Sequence, residues 1–429
     1  MTIAHAIDPT HVVVATLGSA GDMYPFLGLA TALRSRGHRV TFLGPAVHEH
    51  LVRQAEFEFH ALGTRERHLA AIEDPDLWHP RKGFSVVWRA VSDTPEQLRA
   101  FVDTLPATQP CVLLAHPLVL PAAALARAKR RDLRIVGAWL APSNLRTCHD
   151  PLTFGPLQVP RWVPSSWRAW LWRRIDARLV DPVVLPDLEA RRRALGLPPI
   201  DHFADHIYAV PDLSITLWPS WFAPTQPDWP SPLHAGDFQL HEPDPQRPMS
   251  PALERFLEAG DAPVVVTLGT ANRHARDVFA AASMAVQRLG VRAVFLTSHR
   301  EQVPDRLPDA VLWQDYVPLR TLLARASAIV HRGGIGTTAE ALRAGVPQLV
   351  LPLAHDQFDN AARVRALGAG RVLLSPRRQV RGLGRALRDL LESISVRAGC
   401  ADVAARFTTT NDAIDAMCRA IESAGAEAR

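Results

Sequence analysis

One pattern occurs twice along the chain: an apolar, valine-rich strand ends at a glycine turn and leads through a helical pattern to a second apolar strand. In the first half these elements are predicted at 11–17, 24–36 and 39–43, and in the second half at 264–268, 274–289 and 291–296. Because a helical crossover returns the chain to the same end of the sheet, the two strands that it joins are parallel. The pattern therefore predicts an α/β protein with two Rossmann-like domains, whose parallel sheets face each other across a cleft.

Further elements extend both halves. Strands are predicted at 111–115, 133–139, 327–330 and 347–351, and helices at 121–131, 336–344 and 357–367. A proline-rich, polar stretch between the halves is typical of a linker. We therefore predict an N-terminal domain, a linker, a C-terminal domain and a final helix at 1–240, 241–252, 253–405 and 406–429. We expect the final helix to pack back onto the N-terminal domain.

The composition indicates a globular protein. The chain has 429 residues, of which 47% are hydrophobic and 21% charged, which is enough to bury the cores of two domains. Its formal charge of +5 is carried almost entirely by arginine, since lysine occurs only at Lys82 and Lys129. The arginines are scattered and form no basic arm or tract, so we expect no nucleic-acid partner.

The cysteines and the N-terminus bear on the compartment. None of the cysteines belongs to a CxxC motif or has metal-ligand spacing. They are Cys111, Cys148, Cys400 and Cys418. They are typical of free thiols in a reducing compartment. The first ten residues lack the basic start and apolar core of a signal peptide, and no apolar stretch approaches the roughly 20 residues that span a bilayer. We therefore expect a cytoplasmic protein.

The turn His331–Thr337, with sequence His-Arg-Gly-Gly-Ile-Gly-Thr, follows a predicted strand and opens a helix. Glycine lets the backbone approach a ligand, and the N–H groups at a helix start favour an anion. His331 can donate one hydrogen bond to a phosphate oxygen, and the hydroxyls of Thr337 and Thr338 can donate others. The turn therefore suits a diphosphate, although a tight turn that needs glycine only for packing has the same sequence.

The segment from Tyr316 to Gly370 resembles the donor-binding signature of the family 1 glycosyltransferases, which have the two-domain GT-B fold. It contains the glycine-rich turn, an Ala-Gly-Val-Pro strand entry and an Asp-Gln pair in the same order. The resemblance implies that the N-terminal domain binds the acceptor and the C-terminal domain binds a nucleotide sugar. For the diphosphate, the resemblance implies contacts from His331, from Thr270 and from the backbone of Gly333, Gly334, Gly336 and Thr337. It implies that Asp356 and Gln357 bind the sugar, and that Tyr316 and Val317 bind the base.

Two of these positions have simpler interpretations. Asp356 precedes a predicted helix and is also typical of a helix N-cap. Glu340 lies near the position where relatives that use uridine diphosphate sugars bind the ribose, but the alignment is off by one residue there. Glu340 therefore binds the ribose or is a solvated residue of the helix.

Glycosyl transfer by direct displacement needs a base beside the acceptor hydroxyl and a stabilised leaving group. The run Gly18–Phe26 follows the first strand and resembles the N-terminal motif of bacterial family members, in which an Asp stands where many plant enzymes place a His base. We therefore predict that Asp22 is the catalytic base and that Ser19 approaches the donor phosphate. The alternative for Asp22 is a helix N-cap ahead of Pro25.

Three residues are candidates for the acceptor side. His116 follows the predicted strand at 111–115. Trp167 and Trp170 fall on one face of a tryptophan- and arginine-rich helix with Arg174, and Trp172 lies off that face. That helix either borders an apolar acceptor site, or touches a membrane surface, or packs on the N-terminal domain with its arginines in solvent. His116 is also compatible with an ordinary half-buried histidine.

The resemblance extends over nearly the whole chain and is similar, at Trp221–Pro224 and at 354–360, to the bacterial rhamnosyltransferases of rhamnolipid synthesis. It implies an inverting O-glycosyltransferase that moves rhamnose from dTDP-L-rhamnose to a hydroxy-fatty-acid acceptor, with peripheral contact to the inner membrane. The alternative is a UDP-glucosyltransferase acting on a sterol, macrolide or flavonoid, ahead of a nucleotide-sugar epimerase or a non-catalytic partner. The resemblance also implies catalysis without a metal or other cofactor. Asp74-Pro75-Asp76 formally matches an Asp-x-Asp motif, but we interpret it as a turn.

Overall fold

The structure, a computed structural model, describes residues 10–106, 110–242, 244, 247–269, 272–407 and 412–426. They form two α/β domains, each built on a parallel sheet. The described residues contain no helix that is both long enough and apolar enough to cross a membrane. The predicted fold class, two Rossmann-like domains with parallel sheets, is confirmed.

The described part of the N-terminal half contains nine strands: β1 (His11–Ala15), β2 (Arg39–Gly44), β3 (Glu58–Ala61), β4 (Cys111–Ala115), β5 (Arg134–Trp139), β6 (Leu152–Phe154), β7 (Leu157–Val159), β8 (Leu213–Thr216) and β9 (Leu233–His234). Seven of them pair in parallel in the order β3-β2-β1-β4-β5-β8-β9, and β6 and β7 form a separate antiparallel hairpin. Strands β1 and β4 are buried along their whole length, because helices cover both faces of the sheet.

The helices of this half are α1 (Ala20–Ser35), α2 (Glu49–Gln54), α3 (Arg65–Glu73), α4 (Gly83–Ala90), α5 (Thr94–Asp103), α6 (Leu120–Arg127), α7 (Ser165–Ile175), α8 (Asp181–Ala194) and α9 (Phe203–Ala209). A π-helical turn, Asp176–Val180, joins α7 to α8. Helix α1 begins four residues earlier than predicted. Pro25, which the sequence suggested as a first-turn proline, lies inside the helix, and Ser19 is the N-cap residue.

The C-terminal half repeats the architecture with β10 (Val264–Thr267), β11 (Ala293–Leu296), β12 (Val311–Gln314), β13 (Ala328–His331), β14 (Gln348–Val350) and β15 (Gly370–Val372). They form one parallel sheet in the order β12-β11-β10-β13-β14-β15. Its helices are α10 (Pro251–Glu258), α11 (Arg276–Leu289), α12 (Leu319–Leu323), α13 (Ile335–Arg343), α14 (Gln357–Ala366), α15 (Pro376–Arg381), α16 (Leu383–Leu391) and α17 (Ile394–Ala404). Between the sheets, the described residues of the linker, up to α10, form no helix or strand.

The last helix, α18 (Asp412–Ala426), lies on the N-terminal domain rather than on the C-terminal one. It packs against α1, β4 and β5, and its apolar residues Met417 and Ile421 are buried in the N-terminal core. Glu422 forms an ion pair with Arg36 at 2.6 Å and contacts the His38 ring at 3.0 Å. The chain therefore crosses between the domains twice, once through the linker and once before α18.

Candidate active site

The carboxyl ends of both parallel sheets border one large cavity between the domains, with a volume of about 810 Å³. Of the residues predicted from the sequence, those that line it are Ser19, Asp22, His116, Tyr316, Val317, His331, Gly334, Gly336, Thr337, Glu340, Asp356 and Gln357. Gly333 lies behind the surface, and Thr270 lies outside the described residues. The cavity therefore brings together nearly all of the predicted donor residues and the predicted base.

The Asp22 side chain is held by hydrogen bonds from the turn that follows β1. Asp22 Oδ2 accepts hydrogen bonds from the Ser19 N–H at 2.7 Å and from the Ser19 hydroxyl at 2.9 Å. Gly18 has a φ of +110°, and a Cβ at this position would lie 2.4 Å from Asp22 Oδ2, so the turn requires glycine. Asp22 is not the N-cap residue of α1, since Ser19 occupies that position. No other described residue donates a hydrogen bond to Asp22 Oδ1.

The three glycines of the glycine-rich turn after β13 have different surroundings: one is packed against neighbouring residues, and two border open space. Gly333 has a φ of +94°, and a Cβ there would meet Val350 Cγ1 at 2.8 Å. At Gly334 and Gly336 a Cβ would have nothing within 4 Å. Helix α13 begins directly after Gly334, so the N–H groups of its first turn have no partner within the helix, and the Ile335 N–H donates to the Asp356 carboxylate. The arrangement suits a diphosphate at the helix start.

The two threonines at the start of α13 differ. Thr337 lines the cavity, whereas Thr338 is fully buried and its hydroxyl has no hydrogen-bond partner among the described residues. Only the Thr337 hydroxyl is therefore placed to contact a diphosphate. The sequence, which allowed both threonines this role, does not show which side of the first turn faces the cleft.

His331 plays a different role from the one predicted. Its Nδ1 accepts the Gly333 N–H at 3.1 Å, so the proton of the neutral ring lies on Nε2, which donates to Gln348 Oε1 at 2.9 Å. Burial lowers the pKa of His331 to about 4, which keeps the ring neutral. Because both ring nitrogens are occupied, His331 fixes the glycine-rich turn and has no N–H free for a phosphate.

Asp356 and Gln357 lie between β14 and α14. Asp356 has the N-cap position of α14, but its side chain makes no capping hydrogen bond. Its Oδ2 instead accepts Asn360 Nδ2 at 2.7 Å, and the same amide donates to the Gly333 carbonyl at 2.9 Å. Asn360 thus ties the carboxylate to the glycine-rich turn. The spacing of four residues on a helix is the sequence signal for this contact, which we did not predict.

The side chain of Gln357 is only partly available to a ligand. Its Oε1 accepts the Leu353 N–H at 2.8 Å and the Ala354 N–H at 3.3 Å. No described residue bonds to its Nε2, which can donate to a sugar hydroxyl. Gln357 therefore both holds the loop before α14 and lines the cavity.

Two carboxylates, one from each domain, face each other across the cavity. Burial raises the pKa of Asp356 to about 7, and the negative charge of Asp22 is the second cause of that shift. Burial also raises the pKa of Asp22, against the lowering effect of the Ser19 hydrogen bonds. Both shifts favour the protonated carboxyl, so fewer than two full negative charges face the cavity at neutral pH.

The predicted base-binding end of the cavity is organised by the linker. The Tyr316 hydroxyl donates to Glu242 Oε1 at 2.5 Å, and the Arg247 guanidinium lies 5.0 Å from the centre of the Tyr316 ring. No described residue bonds to the N–H or carbonyl of Val317, which leaves both for the edge of a base. The sequence carried no signal for Glu242 or Arg247, because their contact depends on the path of the linker.

Glu340 is not a freely solvated helix residue. Its side chain is 12% exposed, and it pairs with Arg343 at 2.8 Å and with Arg320 at 3.7 Å. It lines the cavity beside the base-binding end. Its carboxylate is therefore held in place at the border of the cavity by two arginines.

His116 lies at the end of β4, between the turn after β1 and the loop after β5. Its Nδ1 accepts the Leu118 N–H at 3.1 Å, and burial lowers its pKa to about 3. The neutral ring therefore carries its proton on Nε2, which can donate to an acceptor molecule.

The two tryptophans predicted for the acceptor site do not reach the cavity. Trp167 and Trp170 are 66% and 56% exposed, and they point away from it. Trp172, which the helical pattern placed off their face, lines the cavity and packs edge-on against Phe154. The prediction was wrong because helical periodicity shows which residues share a face but not which face is covered.

Two groups of potential metal ligands lie outside the cavity. Asp74 caps a short 3₁₀ turn by accepting the Asp76 N–H at 2.9 Å, as expected for a turn. Cys148, His149 and Asp228 place one ligand atom each within 4.8 Å of one another, and none of the three lines the cavity.

Comparison with known proteins decides the family. Residues 12–113 match the family described as Glycosyltransferase family 28 N-terminal domain, and residues 289–414 match Erythromycin biosynthesis protein CIII-like, C-terminal domain. Glycosyltransferase GtfE from Amycolatopsis orientalis is 30% identical over 365 residues, covering 84% of this chain and 85% of GtfE. The chain belongs to the GT-B glycosyltransferases.

Other similar proteins include named glycosyltransferases from bacteria and plants and solved glycosyltransferase structures. The O-mycaminosyltylonolide 6-deoxyallosyltransferase of Streptomyces fradiae is 29% identical over 379 residues, with 83% of this glycosyltransferase and 84% of that protein covered. Sterol 3-beta-glucosyltransferase UGT80B1 of Arabidopsis thaliana is 26% identical, with 84% and 59% covered. Among solved structures, spinosyn rhamnosyltransferase SpnG superposes with a TM-score of 0.65 at 22% identity, covering 96% of this chain and 100% of SpnG. SpnG complexed with thymidine diphosphate gives a TM-score of 0.61, at 23% identity over 95% and 96% of the chains.

Proposed function

We propose that this enzyme transfers a 6-deoxyhexose, with inversion, from a thymidine diphosphate sugar to a hydroxyl of an apolar hydroxy acid. The observation that carries the proposal is the placement of Asp22 opposite Asp356 and the start of α13 in one cavity. Asp22 Oδ1 accepts the proton of the acceptor hydroxyl while that oxygen bonds to the anomeric carbon. The bond from that carbon to the phosphate oxygen breaks, and its electron pair leaves on the diphosphate, which the N–H groups of α13 stabilise.

Two observations bear on the donor. The resemblance to bacterial rhamnosyltransferases and the thymidine diphosphate complex of SpnG support dTDP-L-rhamnose. The position of Glu340 beside the base-binding end favours a ribose, and hence a UDP sugar, as the second candidate. A thermal-shift panel of dTDP, UDP and GDP, each with and without a sugar, separates the two. A ligand present at 100 times its Kd stabilises the protein by about 2.7 kcal/mol, so no shift with dTDP and a clear one with UDP would reject the thymidine donor.

The acceptor side of the cavity is mostly apolar and contains a partly buried arginine, Arg146, whose side chain is 21% exposed. Arg146 lies in the loop after β5, lines the cavity and stacks on Trp172, with its guanidinium carbon 4.8 Å from the ring centre. It also pairs with Asp176. Its remaining N–H groups have no partner among the described residues, so they can bind a carboxylate. Among the described residues of the N-terminal domain, Asp22 is the only acid in the cavity lining.

The test of the acceptor compares a hydroxy acid, 3-hydroxydecanoic acid, with its methyl ester. We expect kcat/KM to be at least tenfold higher for the acid, and Arg146→Gln to remove that preference without affecting the ester. Arg178→Gln, which removes an exposed arginine just beyond Asp176, is the matched control. An ester that reacts as well as the acid would exclude the acidic acceptor and leave glycosyl transfer intact.

We further propose that the enzyme touches a membrane through a tryptophan patch, Trp162, Trp167 and Trp170, which are 83%, 66% and 56% exposed. Arg174, whose guanidinium lies 5.6 Å from the centre of the Trp170 ring, adds positive charge suited to anionic lipid, whereas Arg161 and Arg173 are paired with Asp150 and Asp205. The patch adjoins Trp172 on α7, which lines the cavity, so an apolar acceptor would enter from the lipid side.

Sedimentation with vesicles tests this contact. We expect binding to vesicles of phosphatidylglycerol and phosphatidylcholine, weaker binding to phosphatidylcholine alone, and at least a tenfold loss in the double variant Trp167→Ser/Trp170→Ser. Ile394→Ser, at a 77% exposed apolar residue of the other domain, is the control. Unchanged vesicle binding in the double variant would reject the patch as the contact.

A further inference from the structure

The glycine-rich turn itself contains a buried arginine that has no acidic partner among the described residues. The Arg332 side chain is 5% exposed, and its Nη1 donates to the Leu351 carbonyl at 3.1 Å and to Gln379 Oε1 at 2.9 Å. Its Nε has no hydrogen-bond partner among the described residues. No Asp or Glu in the described part of the chain forms an ion pair with it.

The surroundings of Arg332 are neutral and fixed. Gln379 Nε2 donates to the Pro352 carbonyl at 2.9 Å and to the Leu373 carbonyl at 3.0 Å, so the amide must present its oxygen to the guanidinium. Burial lowers the pKa of Arg332 to about 10, which leaves the group charged at neutral pH. The charge is therefore held in place by carbonyl and amide oxygens that do not neutralise it.

An uncompensated charge inside a protein is unfavourable unless an anion compensates it. An apolar side chain would fill the same space without this penalty, so hydrogen bonding to two neutral oxygens does not explain why an arginine is present. The backbone of Arg332 is part of the turn, three residues before Ile335, where α13 begins and where the cavity offers room for an anion. Arg332 also lines this cavity, so its charge and a dianionic diphosphate at the helix start border the same space.

We propose that Arg332 is a fixed positive charge that complements the diphosphate of the donor. This inference rests on the proposed donor class. In the transfer step, the bond between the anomeric carbon and the phosphate oxygen breaks and its electron pair remains on the diphosphate, whose negative charge increases. Arg332 therefore favours diphosphate binding and, more strongly, departure of the diphosphate.

The experiment measures the Kd of dTDP and of thymidine, and of UDP and uridine, by calorimetry on the full-length protein. Arg332→Gln should weaken the diphosphate at least tenfold and leave the nucleoside within about twofold of wild type. Arg332→Lys, which keeps the charge and changes the hydrogen bonds, should keep the diphosphate within about threefold. Arg371→Gln, at an exposed arginine of β15, is the control.

The outcomes separate the charge from a structural role. Equal losses for nucleoside and diphosphate in Arg332→Gln, or no loss for either, would overturn the inference. A tenfold loss in a folded Arg332→Lys would also overturn it, and this variant decides the matter if Arg332→Gln does not fold. If neither diphosphate binds the wild-type protein, the proposed donor class is wrong.

Discussion

Replacing Asp356 by asparagine should make the ligand-free protein more stable at alkaline pH while weakening its hold on the donor sugar. In the folded protein the pKa of Asp356 is raised from 3.8 to about 7, first by burial and second by the charge of Asp22. Between those two values the unfolded chain has lost the proton that the folded chain still binds. The stability that Asp356 contributes therefore falls as pH rises from about 4 to about 7 and is constant above that.

The size of this effect follows from the shift. A change from 3.8 to about 7 corresponds to about 4 kcal/mol. This is an upper limit, because the carboxylate is partly exposed to water in the open cavity and solvent screens part of the repulsion. For a chain of 429 residues, an unfolding entropy of about 0.9 kcal/mol/K converts 4 kcal/mol into about 4 °C in Tm. Asparagine keeps the shape and can still accept the hydrogen bond from Asn360.

The assay is thermal unfolding of wild type and Asp356→Asn from pH 4 to pH 8.5. The two proteins should unfold at nearly the same temperature at pH 4, and the variant should gain up to about 4 °C by pH 8. The gain should shrink in an Asp22→Asn background, which removes the facing charge. Asp309→Asn, at an exposed carboxylate, should show no such trend. A variant that is less stable than wild type at pH 8, or a difference that does not change with pH, would refute the argument.

Three further outcomes follow from the packing and the cavity. Gly333→Ala should lower the free energy of unfolding by about 2 kcal/mol or more, because a left-handed backbone and a Cβ 2.8 Å from Val350 Cγ1 are both unfavourable. Gly334→Ala should leave stability nearly unchanged and weaken diphosphate binding, since its Cβ would enter the open space beside α13. Chemical denaturation measures the stability of both variants, and calorimetry measures their diphosphate binding. Equal stability losses in the two variants would contradict the different roles of Gly333 and Gly334. Ile421→Ala in α18 should destabilise the protein by about 2–5 kcal/mol, because Ile421 is 1% exposed in the N-terminal core; a loss below 1 kcal/mol in urea unfolding would show that α18 is not part of the N-terminal domain's cooperative unit.

The parallel strands were predictable because their chemistry is local. Strands such as β1, β4 and β10 are covered on both faces, so each is an unbroken apolar run between turns. The edge strand β3 and the two-residue β9 have no such run, since one side of each lacks a partner and their side chains are partly exposed. The start of α1 was predicted too late because the sequence does not distinguish a proline inside a helix, such as Pro25, from a proline in its first turn.

The site was predictable as far as it depends on strand ends. Asp22, His116 and the glycine-rich turn follow directly after parallel strands, so the topology brings them to one edge whatever the loops do. Arg146 and Glu242 reach the cavity from a loop and from the linker, whose paths depend on tertiary packing. The role of His331 also required the fold, because Gln348 meets it from the neighbouring strand.

The central claim is that Asp22 removes the acceptor proton while the C-terminal domain holds the donor. The most direct test is Asp22→Asn, assayed with the donor that the thermal-shift panel identifies. We predict that donor binding stays within about threefold of wild type while transfer, measured as glycosylated product by mass spectrometry, falls by 10² or more, the range typical of a lost general base. Transfer within tenfold of wild type, with the donor still bound, would contradict the account.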